Sequence, residues 1–305
     1  VSRYKYQSST TKQAGFLVLI LVGYIIILGC VLGGYSLAGG HLAILVQPTE
    51  FLIIFGAGVG AFVAANSGNS IKATLAALPM LRKSTRYSKA MFKDVLALMF
   101  LLLAKARQEG MMSIEKDIES PKDSEVFRHY PDILNDHLIM EFIVDYLRMM
   151  VTGNMDAFEM QSLMDLEIET FLKEAEEPAH SLAAMGDGMP AFGIVAAVMG
   201  VVHALSAEGL TPEQVGPLVA SAMVGTFLGI LISYGFLTPL SSRAQQQAHE
   251  AAKILECIKV TLLANLNGYA PQIAIEFGRK VLFETERPGF EEMEEHVREA
   301  KSKRS

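Results

Sequence analysis

No lysine or arginine occurs between Lys12 and Lys72, and none occurs between Lys173 and Arg243. These two gaps constrain the chain more than any other feature, because a fixed cation at the centre of a membrane helix costs about 2.5–3.5 kcal/mol. Each gap holds two apolar runs, about 16–35 and 49–66 in the first, and 186–206 and 215–238 in the second. At about 1.5 Å of rise per residue, such runs can cross a hydrocarbon core of roughly 30 Å. The chain is 51% hydrophobic with a mean hydropathy of +0.31, while the segment between the gaps is rich in both signs of charge. The expectation is an all-α polytopic membrane protein with a helical insert between the second and third spans and a helical C-terminal tail. Its parts are a basic extension over 1–15, spans one and two over 16–66, the insert over 67–184, spans three and four over 185–239, and the tail over 240–305.

The third run, Gly186 to Ser206, reads GDGMPAFGIVAAVMGVVHALS and has no charged or amide side chain between Asp187 and His203. It is full of Gly and Ala, with Pro190 near its start, which suits packing against protein better than exposure to lipid. Glycine pairs at four-residue spacing, Gly29/Gly33, Gly56/Gly60 and Gly225/Gly229, predict close helix approach in the first, second and fourth spans. The second pair sits in GAGVGA, which also fits a dinucleotide-binding fingerprint. That fingerprint needs an acid about 20 residues on, and no Asp or Glu occurs from Phe51 to Lys93.

The insert reads as helical throughout. Tyr87 to Gln108 carries apolar residues at helical spacing, Gly110 marks a stop, and Ser113 is placed to cap a short helix with Glu115 in its first turn. A second amphipathic helix is expected over Asp132 to Val151, and a long acidic one over Asp156 to Ala184. The run EEMEEH at 291–296 reads as a solvated face.

Several function classes drop out. A net charge of −7 gives no reason to expect nucleic-acid binding. Cys30 and Cys257 form no zinc spacing, His137 and His180 read as surface residues, and no motif of a nucleotide, zinc or serine-hydrolase site is present, so neither a cofactor nor catalysis is expected. Bases cluster before span one, after span two and after span four, while the loops at about 36–48 and 206–214 have none. The termini and the insert are therefore expected on the cytoplasmic side.

An ion path usually needs an ionisable group within the membrane. Glu50, His41, Asp187 and His203 all fall near the ends of spans, which leaves Thr226 as the clearest polar group at depth. If ions cross here, a second protein is expected to supply the titrating carboxylate.

The segments GDGMPAFGIVAAVMGVVHAL, AMVGTFLGILISYGFLTP and NLNGYAPQIAIEFGRK, with AKARQEGMMSIEKDIESP in the insert and LGGY after the first span, resemble the flagellar stator A subunits, the motility protein A (MotA) family. The resemblance covers the chain from about residue 17. It implies a proton-driven torque generator of the bacterial inner membrane: a pentamer of A subunits around a dimer of a MotB-type B subunit. The B subunit brings the proton-binding Asp and a peptidoglycan anchor, and the A subunit's insert drives the rotor protein FliG by charge. Matched motif to motif, the resemblance assigns rotor contact to Arg107 and Glu115, torque coupling to Pro190 and Pro239, and a pore-facing position to Thr226. Sodium-type relatives carry a Thr seven residues after the first of these prolines. Here that position is Ala197, whose methyl offers a cation no oxygen, which favours protons. A runner-up is an ExbB/TolQ-like proton-channel subunit energising outer-membrane processes. That type generally has three spans.

Overall fold

The computed structural model describes residues 2–81, 87–153, 155–206 and 211–302, with side chains for these except 2–18, 80, 212 and 213. The basic side chains of the first 15 residues therefore lie outside the described part. Among the described residues every regular element is helical: α1 (Ser2–Leu37), α2 (Pro48–Ala65), α3 (Gly68–Met80), α4 (Lys89–Glu109), α5 (Glu115–Glu119), α6 (Glu125–Arg128), α7 (Pro131–Leu134), α8 (His137–Thr152), α9 (Ala157–Ser206), α10 (Pro212–Ile232), α11 (Thr238–Leu266), α12 (Pro271–Val281) and α13 (Phe290–Ser302). Four helical segments are long and apolar enough to cross a membrane, at Leu19–Leu37, Leu42–Ala65, Ala157–Ser206 and Gln214–Leu266. The chain divides into two compact units, residues 1–84 with 175–246, and 85–174 with 247–305.

In the first unit the outward faces of α1 and α2 are apolar: Leu19, Ile25, Ile26 and Leu52 are all exposed. A soluble helix would hide that surface, and a membrane helix gives it to lipid or to other helices. The inner side of α2 is anchored by Ile54, which packs with Met189 and Ala196 of α9. At Gly58 of α2 the Met189 methyl fills the place where a Cβ would stand. Tyr24 of α1 donates a hydrogen bond to the Phe236 carbonyl at 3.3 Å and its ring lies 4.8 Å from the Phe236 ring. The short α3 is capped by Ser67, whose Oγ accepts from the Ser70 N–H, and Ser70 in turn donates to Glu177 at 3.0 Å.

The second unit is built around a helical core. Twelve of the residues of α4, from Met91 to Ala106, are buried in it. Around α4 pack α6, α7, α12 and α13, with α8 joined to them through α5 and α7, and Phe127, Phe142, Tyr146, Ile258 and Met293 are almost wholly enclosed. The tail therefore completes the core begun by the insert. EEMEEH is not simply a solvated face, as the sequence suggested. Met293 points inward at 1% exposure, Glu292 bridges Lys89 and Lys93 at 2.7 and 3.0 Å, and His296 meets Asp94 at 2.9 Å. Hydrogen bonds and charge from the two lysines hold the Glu292 carboxyl down at about 2, against the smaller opposing effect of burial.

Several boundaries differ from the sequence reading, each for a local reason. Gly110 does end α4, in the left-handed-side conformation at φ +89. Ser113 does not cap α5: it lies in a 3-10 turn, Met111–Ile114, and its hydroxyl donates back to the Gly110 carbonyl at 2.7 Å. The helix expected over Asp132 to Val151 is split into α7 and α8, because Asp136 takes an N-cap geometry and accepts from the Ile139 N–H. The acidic helix and the third span form one helix, α9, which runs through Pro178 and Pro190 without a break.

Candidate functional site

The site in the first unit begins with glycine. A Cβ placed on Gly229 of α10 would lie 2.5 Å from the Met189 carbonyl oxygen and 3.1 Å from the Gly193 Cα of α9; one on Gly193 would lie 2.8 Å from the Gly225 carbonyl. Only residues without a side chain allow two helix backbones to come this close. Of the three predicted glycine pairs, Gly225/Gly229 does what the spacing suggested. Gly29, Gly33, Gly56 and Gly60 have nothing within 4 Å and leave their faces free within the chain.

Pro190 lies in the interior of α9, not at its start. Proline has no N–H, so the carbonyl four residues back, at Gly186, loses its helical partner. Gly186 is buried beside Leu237, Thr238 and Ser233. Ser233 and Leu237 are the two ends of a π-helical turn, Ser233–Leu237, that joins α10 to α11, and Thr238 opens α11. Pro239 is therefore not the end of a helix. It is the second residue of α11, directly after the turn, and is exposed. The two weakened stretches of backbone, one made by a proline and the other by a π turn, thus face each other across a glycine. The Ser233 hydroxyl is fully buried there without a hydrogen-bond partner among the described residues.

Thr226 and Ala197 are both half-buried. Thr226 stands at the closest approach of the helices, its Cα 3.3 Å from a Cβ placed on Gly193. Ala197 follows Ala196, which is fully buried against α10 at Gly225. A face of α9 carrying Ile194, Val195, Val198, Met199 and Val202 is left exposed, as is Met223 of α10.

Sequence reasoning missed the burial of one residue. Glu50 is in the first turn of α2, as its position suggested, but only 6% of it is exposed. Its carboxyl group reaches between α9 and α10: Oε1 lies 3.2 Å from a Cβ placed on Gly200, and Oε2 2.6 Å from one placed on Gly225. The available signal was a lone acid ahead of a long acid-free run.

In the second unit Arg107 is in the last turn of α4 and Glu115 opens α5. Between them the chain turns back, and Lys105 of α4 pairs with Asp117 of α5 at 2.7 Å, Asp117 also accepting from Ser124 at 2.6 Å. Two residues away on each helix, Arg107 and Glu115 are turned outward. Both are exposed, and neither forms an ion pair among the described residues. No group of three or more His, Cys, Asp or Glu residues able to hold a metal occurs among the described residues.

Residues 21–110 match the motility protein A N-terminal family, and residues 135–257 match the MotA/TolQ/ExbB proton channel family. The chain is 57% identical over 281 residues to motility protein A of Salmonella typhimurium, covering 92% of this chain and 95% of that one. It is 56% identical over 285 residues to motility protein A of Escherichia coli, covering 93% and 97%. Chemotaxis protein LafT of Vibrio parahaemolyticus is 36% identical over 91% of this chain and 98% of its own. Among solved structures, the MotAB of C. jejuni superposes with a TM-score of 0.71 at 18% identity, covering 88% of this chain and 96% of that one. The flagellar MotAB stator complex of Bacillus subtilis gives 0.64 at 24%, covering 84% and 92%. At those identities the likeness is one of fold.

Proposed function

Since the chain belongs to the motility protein A family, we propose that it is the A subunit of a flagellar stator, which with a MotB-type partner forms a proton channel and converts ion flow into torque. The observation that carries this reading is the glycine-tight α9–α10 pair with Pro190 set against the π turn. A rigid pair of helices weakened at one level, where Pro190 faces the π turn, can pass a small change at one position into a movement of the whole pair. The match of residues 21–110 to the motility protein A N-terminal family supports this over an ExbB/TolQ-like role.

The finer parts of the proposal rest on the family resemblance and on the residues. Five copies surround two B-subunit helices, and the exposed apolar face of α9 lines the central space. The B subunit supplies the proton-binding Asp beside Pro190. Arg107 and Glu115, exposed and without an ion pair among the described residues, meet charges on FliG. Both termini and the second unit lie in the cytoplasm. Thr226 faces the ion path, and Ala197 withholds the oxygen that a dehydrated sodium ion would need. Chemistry of the enzymatic kind has no part in this scheme.

Deleting the gene in its host should leave filaments assembled but not turning, and the intact chain should restore rotation. Speed should then follow external pH and uncouplers. Rotation that persists in the deletion strain refutes the stator reading, and rotation that stops in sodium-free buffer at constant proton-motive force refutes the ion assignment.

A further inference from the structure

We propose that Glu50 is a second proton-holding group of the membrane unit, placed between α9 and α10 by the absence of side chains at Gly200 and Gly225. The inference rests on the reading of α9 and α10 as the helices beside the ion path.

Three observations support it. First, the placement is built. The carboxyl group enters a slot that any residue larger than glycine would close: a methyl on Gly225 would meet Oε2 at 2.6 Å, and one on Gly200 would meet Oε1 at 3.2 Å. Second, Oε2 is buried and has no hydrogen-bond partner among the described residues. An acid in the first turn of a helix usually bonds the free N–H groups there or turns to water. Glu50 instead turns in among Ala196, Gly200, Ala222 and Gly225, with Oε2 shut off from water. A buried polar atom without a partner is costly, so a chain that places one has something to bring to it. Third, the slot offers nothing else. None of these four neighbours has a side-chain oxygen or a titratable group, and the next ionisable residues along the two helices are His203 and Glu213. One carboxyl group cannot replace the several oxygen ligands a metal cation requires. A proton needs only one.

The chemistry is a reversible transfer. A lone pair on Oε2 takes a proton from a hydronium ion and releases a water molecule, and the O–H bond then breaks toward water on the other side of the slot, which restores the carboxylate. Gly200 lies ten residues beyond Pro190 on α9, about 15 Å along the helix, toward its end at Ser206. In the proposed orientation that is the outer side, so Glu50 meets protons before the partner's carboxylate does. A group that only relays protons affects how fast they arrive and not how much energy each delivers.

The test uses Glu50→Gln, which keeps the shape and cannot titrate, and Glu50→Asp, which keeps the acid but shortens its reach. In the full chain reconstituted in lipid, infrared spectra recorded across pH should show a carboxyl band that Glu50→Gln removes and Glu50→Asp retains at a shifted position. In cells, with membrane abundance checked for each variant, Glu50→Gln should keep its torque near stall and lose low-load speed severalfold, where proton supply limits rotation. Glu50→Asp should fall between. A purely structural role predicts loss of abundance or of stall torque instead. Wild-type low-load speed in Glu50→Gln, or an unchanged infrared titration, overturns the proposal. If the wild-type chain drives no rotation at all, the stator reading fails, and the infrared measurement still decides whether Glu50 takes a proton.

Discussion

Replacing Gly229 by Ala tests the contact on which the membrane unit depends. The new methyl would stand 2.5 Å from the Met189 carbonyl oxygen, 3.1 Å from the Gly193 Cα and 3.2 Å from the Met189 carbonyl carbon. All three are backbone atoms that cannot rotate away. Ordinary carbon contacts lie at about 3.5–4.0 Å, so α9 and α10 must part by roughly 1 Å. Overpacking of this kind costs about 1–3 kcal/mol. Against it stands the gain of about 1 kcal/mol when Ala replaces Gly inside a helix. Gly216 of the same helix supplies the control, because a Cβ there meets nothing within 4 Å. Gly216→Ala should show the gain alone. The difference between the two variants therefore isolates the packing term, about 1–3 kcal/mol with Gly229→Ala the weaker. The assay is unfolding of the full chain in mixed micelles by increasing fractions of dodecyl sulfate, followed by circular dichroism. Equal midpoints for the two variants would refute the close approach, whatever their effect on motility.

Pro190→Ala should restore the missing N–H and stabilise α9, since Pro costs about 3 kcal/mol in a helix interior. It should assemble at normal abundance yet turn poorly, and normal swimming would refute the mechanical role. Reversing the charge of Arg107 or Glu115 should reduce torque more than neutralising it. Single exposed pairs are worth under about 1 kcal/mol, so neutral variants should keep partial motility; unchanged torque in both reversals would remove the assignment. Glu292, held at about 2 in the folded chain, contributes stability that is present above the ordinary Glu range of about 4.3. That contribution is lost as pH falls from there toward about 2. Hydrogen-exchange protection of α13 should fall over this window, and Glu292→Gln should abolish the dependence without touching α10.

Much of this fold was legible because lipid imposes a coarse rule: the two cation-free gaps gave four spans, and the helical period gave α4. The parts that were not legible depend on partners distant in sequence. Nothing within EEMEEH says that Lys89, Lys93 and Asp94 await it. Gly56/Gly60 and Gly225/Gly229 are equivalent as strings, yet only the second meets a backbone, because the pairing belongs to α9 and not to the pair itself. Pro190 read as a residue near a helix start, since the glycines before it look like a boundary; the acidic helix upstream simply continues through them. Glu50 was placed correctly along the chain, and its burial was not foreseen. A Glu side chain spans several ångströms, and its direction is set by the empty positions at Gly200 and Gly225.

The π turn at Ser233–Leu237 has a consequence for how this segment tolerates insertion and deletion. A π turn holds one more residue than the α-helical turn it replaces, so it displaces the angular phase of everything downstream by one residue, about 100°. Deleting one residue here would heal the helix and turn the start of α11 by that angle. Ser241, which donates to the Ala179 carbonyl at 2.8 Å, would swing off its acceptor, and Ala244 would leave the cluster it forms with Leu81, Ala179 and Leu182. The stretch SYGFLTP is thus a phase-setting element whose length is fixed even where its side chains are free to vary. An exposed Tyr234 can drift; the residue count cannot.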